Sequence, residues 1–228
     1  MIAEQLKDFD IIALQETDSG SFRTNQLHQA QYIAYRTGMP HCYTQITRDV
    51  GRIASISLGL LCRFPCTRLI QHRLPASKHG RGLMEAVLRV NGREIALFIT
   101  HLSLKKSSRI QQIRFLIQHL NRYQHAILMG DLNCEPNSPE FSYLFAHSDL
   151  KDLPDHPYSF PSWHPQRRLD HILATNNLTV KHLHAIPFVC SDHLPVIAEI
   201  HFDGEKKAPA GSRGLEKSGA IYREGRRE

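Results

Sequence analysis

The stretch His125–Pro136, H-A-I-L-M-G-D-L-N-C-E-P, restricts this chain more than any other. Ala126–Met129 is an unbroken apolar run, the pattern of a strand covered on both faces. Gly130 lets the backbone turn tightly after it. Asp131 and Asn133 follow at a spacing of two, which on an extended segment points both side chains the same way. A carboxylate and an amide side by side at a strand end suit a place where a hard metal ion meets a phosphate. Gly, Asp and Asn are also ordinary turn residues, so the stretch alone reads more readily as a strand closing in a turn.

The segments around it alternate strand and helix. Ile2–Lys7 read as the end of a helix and Phe9–Leu14 as a buried strand closing at Gln15 and Glu16. Phe22–Thr37 read as a helix with Leu27, Ala30 and Ala34 on one face, ended by Gly38 and Pro40. Cys42–Thr47, Ile53–Cys62 and Arg68–Leu74 have strand patterns. Leu83–Val90 and Arg93–His101 are joined by Asn91-Gly92, the strongest short-range hairpin signal. Ser107–Tyr123 read as a helix striped by Ile110, Ile113, Ile117 and Leu120. Ser138 and Pro139 open a short helix as N-cap and first residue. Asp152–Pro165 is a Pro- and aromatic-rich loop, and Leu169–Ala174, Leu178–His184 and Pro195–Phe202 close the chain's strands. The pattern predicts an α/β domain over residues 1–202, with two packed, mainly antiparallel sheets flanked by helices. Residues 203–228, poor in apolar side chains, are expected to form a disordered basic tail.

Charge and cysteines exclude some classes. Of the net charge of +6, the tail carries +2 and the body +4. That permits an anionic substrate without marking a dedicated nucleic-acid binder. Cys42, Cys62, Cys66, Cys134 and Cys190 are odd in number and include no C-x-x-C pair, so neither a disulfide framework nor a zinc knuckle is expected. A reducing compartment is favoured. No apolar signal core and no bilayer-length stretch occur in the sequence, and a cytoplasmic protein is expected.

Five strand ends carry chemistry-bearing side chains: I-I-A-L-Q-E ending at Glu16, I-T-H-L at His101, G-D-L-N at Asp131 and Asn133, R-L-D-H-I at Asp170, and S-D-H-L-P at Asp192 and His193. In this order they resemble the motifs of the endonuclease/exonuclease/phosphatase superfamily, which includes deoxyribonucleases, inositol-phosphate phosphatases and neutral sphingomyelinases. S-L-G-L-L-C-R-F-P (Ser57–Pro65) and R-G-L-M-E-A (Arg81–Ala86) add to the likeness. The resemblance implies a four-layer α/β sandwich with its site at the open end of two stacked sheets. It implies Mg²⁺, or Mn²⁺, held by Glu16 with Asp192 as a second carboxylate. It implies His193 beside the scissile phosphate, oriented by Asp170, with Asp131 positioning or deprotonating the attacking water. Asn133 would donate to a phosphate oxygen, and His101 would be the second imidazole. The implied activity is metal-dependent hydrolysis of a phosphodiester or phosphomonoester by in-line attack of water. The substrate could be a nucleic acid, a lipid headgroup or a small phosphate ester, and the protein a monomer. A nuclease acting on DNA is the alternative within this class. A non-catalytic phosphate- or protein-binding descendant is the alternative outside it.

Other residues bear less weight. Arg81, between two glycines, could reach a phosphate or lie in a solvated loop. Trp163 could contact substrate or simply pack. Glu85, a charge inside an apolar strand, needs a partner. Lys105, Lys106 and Arg109 read as a solvated helix end or as the wall of an anionic cleft. The resemblance also calls for a strand before the first helix, with an Asn beside Glu16. The sequence opens within that helix, so an unfilled position inside one sheet is expected.

Overall fold

Residue alternation along the strands sets the layers. The computed structural model describes residues 2–50, 54–76, 80–203 and 218–223. In β1 (Ile11–Asp18), Ile11 and Ala13 face a central core, while Ile12 and Leu14 face an outer one. In β5 (Gly82–Val90), Met84, Ala86 and Leu88 turn to the centre and Leu83 and Val87 outward. β6 (Arg93–His101) and β7 (Ala126–Asp131) split the same way. Strands apolar on both faces must be covered on both.

The first sheet also contains β2 (His41–Val50), β3 (Ala54–Cys62), β9 (Leu178–Ala185), β10 (Val196–Phe202) and β11 (Ser218–Arg223). Its order is β2-β3-β1-β11-β10-β9. The second adds β4 (Cys66–Arg73) and β8 (Asp170–Ala174), in the order β4-β5-β6-β7-β8. Most neighbours are antiparallel; β1–β11 and β6–β7 are parallel. Helices α1 (Ile2–Leu6) and α2 (Gln29–Thr37) pack on the first sheet. α3 (Lys106–Leu120) and α4 (Pro139–Ala146) pack on the second. The result is the four-layer α/β sandwich. Each fully buried Leu or Ile contributes about 1.5–3 kcal/mol relative to exposure, whereas a helix cap such as Ser138, which accepts from the Phe141 N–H, contributes about 1 kcal/mol. The central layer therefore dominates cohesion.

Several boundaries differ from the sequence reading. Asn25 and Gln26 have φ of 51° and 61°, which stops any helix there. Only a single 3-10 turn, Phe22–Thr24, precedes α2, and Leu27 lies outside it, 42% exposed. The buried stripe of α3 is Ile113, Leu116, Ile117 and Leu120, with Ile110 only half-buried. The Asn91-Gly92 turn is as expected, with φ of 50° and 79°. Ile53 of the expected third strand lies outside the described residues. So does most of the tail, but Ser218–Arg223 within it form a strand rather than a disordered segment. That strand lies beside β1, where an unfilled position was expected.

All five cysteines are free thiols. Burial pushes Cys62 and Cys134 up to about 12, leaving them as core-filling groups rather than nucleophiles. No helix among the described residues is long and apolar enough to cross a membrane.

Candidate active site

The five strand ends converge at one rim of the two sheets. β6 and β7 run parallel and place His101 opposite Asp131. Antiparallel β8 begins there, with Asp170 opposite Asp131. Gly130 makes this fit possible: its φ is 151°, and a Cβ would lie 1.9 Å from the Thr100 carbonyl oxygen.

β1 arrives from the other sheet. It runs past Gln15 and Glu16 to Asp18, with a bulge against β3 between Leu14 and Thr17. Glu16 takes φ of 54° in that bulge, and bulges re-aim side chains. Its carboxylate lies 3.5 Å from both the Arg81 guanidinium and His101 Nδ1. Arg81 in turn is 2.7 Å from His101 Nδ1. A guanidinium only donates, so Nδ1 accepts and the His101 proton sits on Nε2. That nitrogen faces Asp131 Oδ2 at 3.3 Å. Arg81 is thus a member of this constellation rather than a solvated loop residue. Gly80 holds its loop against β2, where a Cβ would meet the Thr47 carbonyl oxygen at 1.8 Å.

Asp131 is fully buried, and its Oδ1 accepts from the Asn133 N–H at 2.8 Å. Asn133 does not continue the strand. It takes φ of 52°, and its side-chain amide donates to the Leu102 carbonyl at 2.9 Å. The side-by-side emergence expected of an extended segment is replaced by a tight turn around Asp131. One amide hydrogen and Oδ1 remain outside that bond.

Asp170 and His193 form the most enclosed pair. Asp170 Oδ2 accepts from His193 Nδ1 at 2.6 Å and from the Ser159 hydroxyl at 2.5 Å. Both residues are buried. Burial alone would raise the Asp170 carboxyl, but His193, the Ser159 hydroxyl and His171 outweigh it and hold the group below the ordinary carboxylate range. His193 Nε2 then points away from Asp170, and the ring is braced by Phe160 at 4.7 Å between centroids. Ligand atoms of Asp131, Asp170 and His193 all lie within 4.8 Å of one another.

The loop Asp152–Arg168 ties these parts together. The Ser159 carbonyl accepts from the Leu194 N–H, and Ser162 bonds the carbonyls of Ser191 and Asp192. Ser159 and Phe160 carry no sequence signal, because a serine in a Pro-rich loop is usually only a turn residue. Trp163 follows Ser162 and is 71% exposed, beside this segment but without a core role. Asp192 is half-buried; its Oδ1 has no hydrogen-bond partner, and neither has Asp170 Oδ1. Buried carboxylate oxygens without donors are places for a cation. Glu16 and Asp192 do not enter a compact ligand triple among the described residues.

Four other residues sit elsewhere. Arg109 is 2.8 Å from Glu140 and also donates to the Leu104 carbonyl, so it fastens α3 to α4. Lys105 and Lys106 are exposed. Glu85 lies on the outer face of the second sheet, among His72, His119 and Tyr123.

The His of R-L-D-H-I is a structural group. His171 Nε2 faces the Cys134 carbonyl at 3.1 Å and therefore donates, leaving Nδ1 to accept from His156 at 3.1 Å. Burial, helped by His156, pushes its pKa down to about 3. An unfolded histidine titrates near ~6.5. Between these values the unfolded chain binds the extra proton, so stability is lost as pH falls from 6.5 toward 3. The expected loss from this group between pH 7 and 5 is about 2 kcal/mol. Urea midpoints at the two pH values measure it. His171→Gln should flatten the slope, and an unchanged slope would count against the assignment.

A family model described as Endonuclease/Exonuclease/phosphatase family matches residues 1–193. No curated protein matches the chain. Solved structures do. An endonuclease/exonuclease/phosphatase from Beutenbergia cavernae superposes with a TM-score of 0.72 at 21% identity, over 91% of this chain and 66% of that one. A mannosyl-6-phosphatase from Bacteroides thetaiotaomicron gives 0.68 at 21% identity, over 88% and 89%. Sphingomyelinase C from Streptomyces griseocarneus gives 0.59 at 16% identity, over 86% and 80%.

Proposed function

Since the chain belongs to the endonuclease/exonuclease/phosphatase family, we propose that it hydrolyses phosphoester bonds with Mg²⁺, or Mn²⁺, by in-line attack of water. The observation that carries this is the enclosed Asp170–His193 pair, 2.6 Å apart, with the buried Asp131 carboxylate within 4.8 Å of both.

Glu16 would hold the cation, with Asp192 as a second carboxylate. The partnerless Oδ1 of Asp192 supports that donor set. When bound, a divalent cation polarises phosphoryl oxygens and steadies the leaving oxygen. Asp131 positions the attacking water and accepts its proton. Asp170 fixes the proton on His193 Nδ1 and presents Nε2 to the phosphate. The uncommitted amide hydrogen of Asn133 donates to a phosphoryl oxygen as charge develops there. Arg81 keeps His101 in its Nε2–H tautomer, aimed at Asp131.

A small or headgroup-sized phosphate ester fits better than a gripped DNA duplex. A cavity of about 250 Å³ opens beside the site, with Arg73 and Arg81 among its walls. Two of the structural relatives are named for such substrates, a sugar phosphate and a phospholipid. The exposed Trp163, next to the Ser162 whose N–H bonds the Asp192 carbonyl, would contact the substrate.

The test is hydrolysis of bis(p-nitrophenyl) phosphate, then of sphingomyelin, sugar phosphates, inositol phosphates and plasmid DNA. Turnover should require Mg²⁺ or Mn²⁺ and be abolished by EDTA. Saturable Mg²⁺ binding without turnover on any arm would support a non-catalytic phosphate-binding protein instead.

A further inference from the structure

Away from the rim, three potential metal ligands from three elements meet on the outer face of the second sheet. His72 lies on the edge strand β4, Glu85 on β5 and His119 on α3. His72 Nε2 is 2.9 Å and His119 Nδ1 3.0 Å from the same oxygen, Glu85 Oε2. All three ligand atoms lie within 4.8 Å of one another. The other carboxylate oxygen, Oε1, accepts from the Tyr123 hydroxyl, which itself accepts from Arg68 at 2.6 Å. Oε2 is thereby turned toward the imidazoles. Phe115 packs on both rings, with centroids 5.7 Å and 4.7 Å away.

We propose that His72, Glu85 and His119 form a Zn²⁺ site, separate from the phosphoester site. Two imidazoles and one carboxylate, with a fourth position left to water, is a donor set that zinc takes in proteins. Tetrahedral ligands at ~2.0–2.1 Å from zinc stand about 3.3 Å apart, so the two shorter separations need to open by only a few tenths of an ångström. Entry is from the sheet edge, where the His72 side chain is 15% and that of His119 10% exposed.

The charge pattern favours a cation here. Glu85 is 1% exposed, and its direct partners are two imidazoles and a phenol. The Arg68 guanidinium reaches it only through Tyr123. A carboxylate and neutral imidazoles are the forms that bind zinc. On binding, each imidazole carries its proton on the ring nitrogen opposite the metal. Tyr123 acts as a positioning residue on the carboxylate.

The experiment uses the full chain, stripped with a chelator that is then removed, in buffer containing Mg²⁺ to occupy oxygen-rich sites. Zn²⁺ is followed by elemental analysis after desalting, and Co²⁺ by its visible d–d bands. The wild type should retain a single equivalent of zinc and develop tetrahedral Co²⁺ bands. His119→Ala and His72→Ala should lose both, with Mg²⁺-dependent hydrolysis unchanged. Tyr123→Phe, the mildest change, should weaken zinc affinity about 10–100-fold while keeping the bands. The inference is overturned if the wild type retains no zinc and shows no bands, or if both histidine variants bind as it does. Because the wild-type Co²⁺ spectrum needs no variant, misfolded substitutions do not blunt the test.

Discussion

His193→Ala is expected to lower kcat for phosphoester hydrolysis by at least roughly 10²–10⁴-fold, the usual contribution of a positioned acid–base group. Binding of Mg²⁺, read by thermal shift, should change little if, as proposed, Glu16 and Asp192 supply its carboxylates. The sharper member of the pair is Asp170→Asn. In the native site Asp170 Oδ2 accepts from His193 Nδ1 at 2.6 Å, which places the ring proton on Nδ1 and leaves Nε2, the proposed phosphate-facing atom, without it. An asparagine can offer its NH₂ at that position. Nδ1 then accepts, the proton moves to Nε2, and the nitrogen facing the reaction changes character. Ser159, at 2.5 Å, can donate or accept, so it tolerates the exchange. The expected result is a fall in kcat comparable to His193→Ala, with KM nearly preserved and a displaced pH profile. Equal kcat in wild type and both variants would sink the acid–base assignment. A fall explained entirely by lost folded protein, judged by the melting temperature, would reduce Asp170 to a structural role.

The chemistry was more legible in the sequence than the geometry that delivers it. Apolar runs that stop at Glu16, His101 and Asp131, or that start just after Asp170 and His193, mark strand ends, because buried strands support such runs. Which ends meet depends on sheet order, which no local pattern carries. Backbone exceptions were the hardest part. Glu16, Asn25, Gln26 and Asn133 all take positive φ, and such conformations are imposed by tertiary neighbours on side chains that ordinarily avoid them. The bulge at Glu16 and the turn at Asn133 are the two that shape the site. Arg81 read more readily as a solvated loop residue; its place in the constellation emerges only from the 2.7 Å approach to His101 across the fold. The strand at Ser218–Arg223 offered only the short run Ala220-Ile221-Tyr222 to announce it, while its partners, β1 and β10, supply the hydrogen-bonding template.

That last strand carries the second large expectation, that Ala220→Pro weakens both stability and turnover. Ala220 pairs with Ile12 of β1 on one side and Ile197 of β10 on the other. A proline there removes a ladder N–H from an internal strand, where proline is otherwise not found. Leaving its partner carbonyl unsatisfied costs about 1–3 kcal/mol before any steric clash of the ring. At roughly 2–4 °C per kcal/mol for a chain of this size, the melting temperature should drop by roughly 2–12 °C. Ala220→Gly keeps the N–H and should cost no more than about 1 kcal/mol. Ending the chain at residue 203 should be worse, because β1 and β10 would then present facing rows of unpaired backbone groups, an invitation to self-association. The effect on turnover follows from position. β1 delivers Glu16 through its bulge, and β10 follows His193 by three residues. β11 lies between them, so it sets the spacing between Glu16 and His193, the proposed cation ligand and the proposed phosphate-facing imidazole. Loss of activity should therefore accompany loss of stability in Ala220→Pro, even below its melting temperature. If Ala220→Pro melts with the wild type and turns over at the same rate, β11 contributes nothing to the sheet, and Glu16 must be fixed by β3 and Arg81 alone.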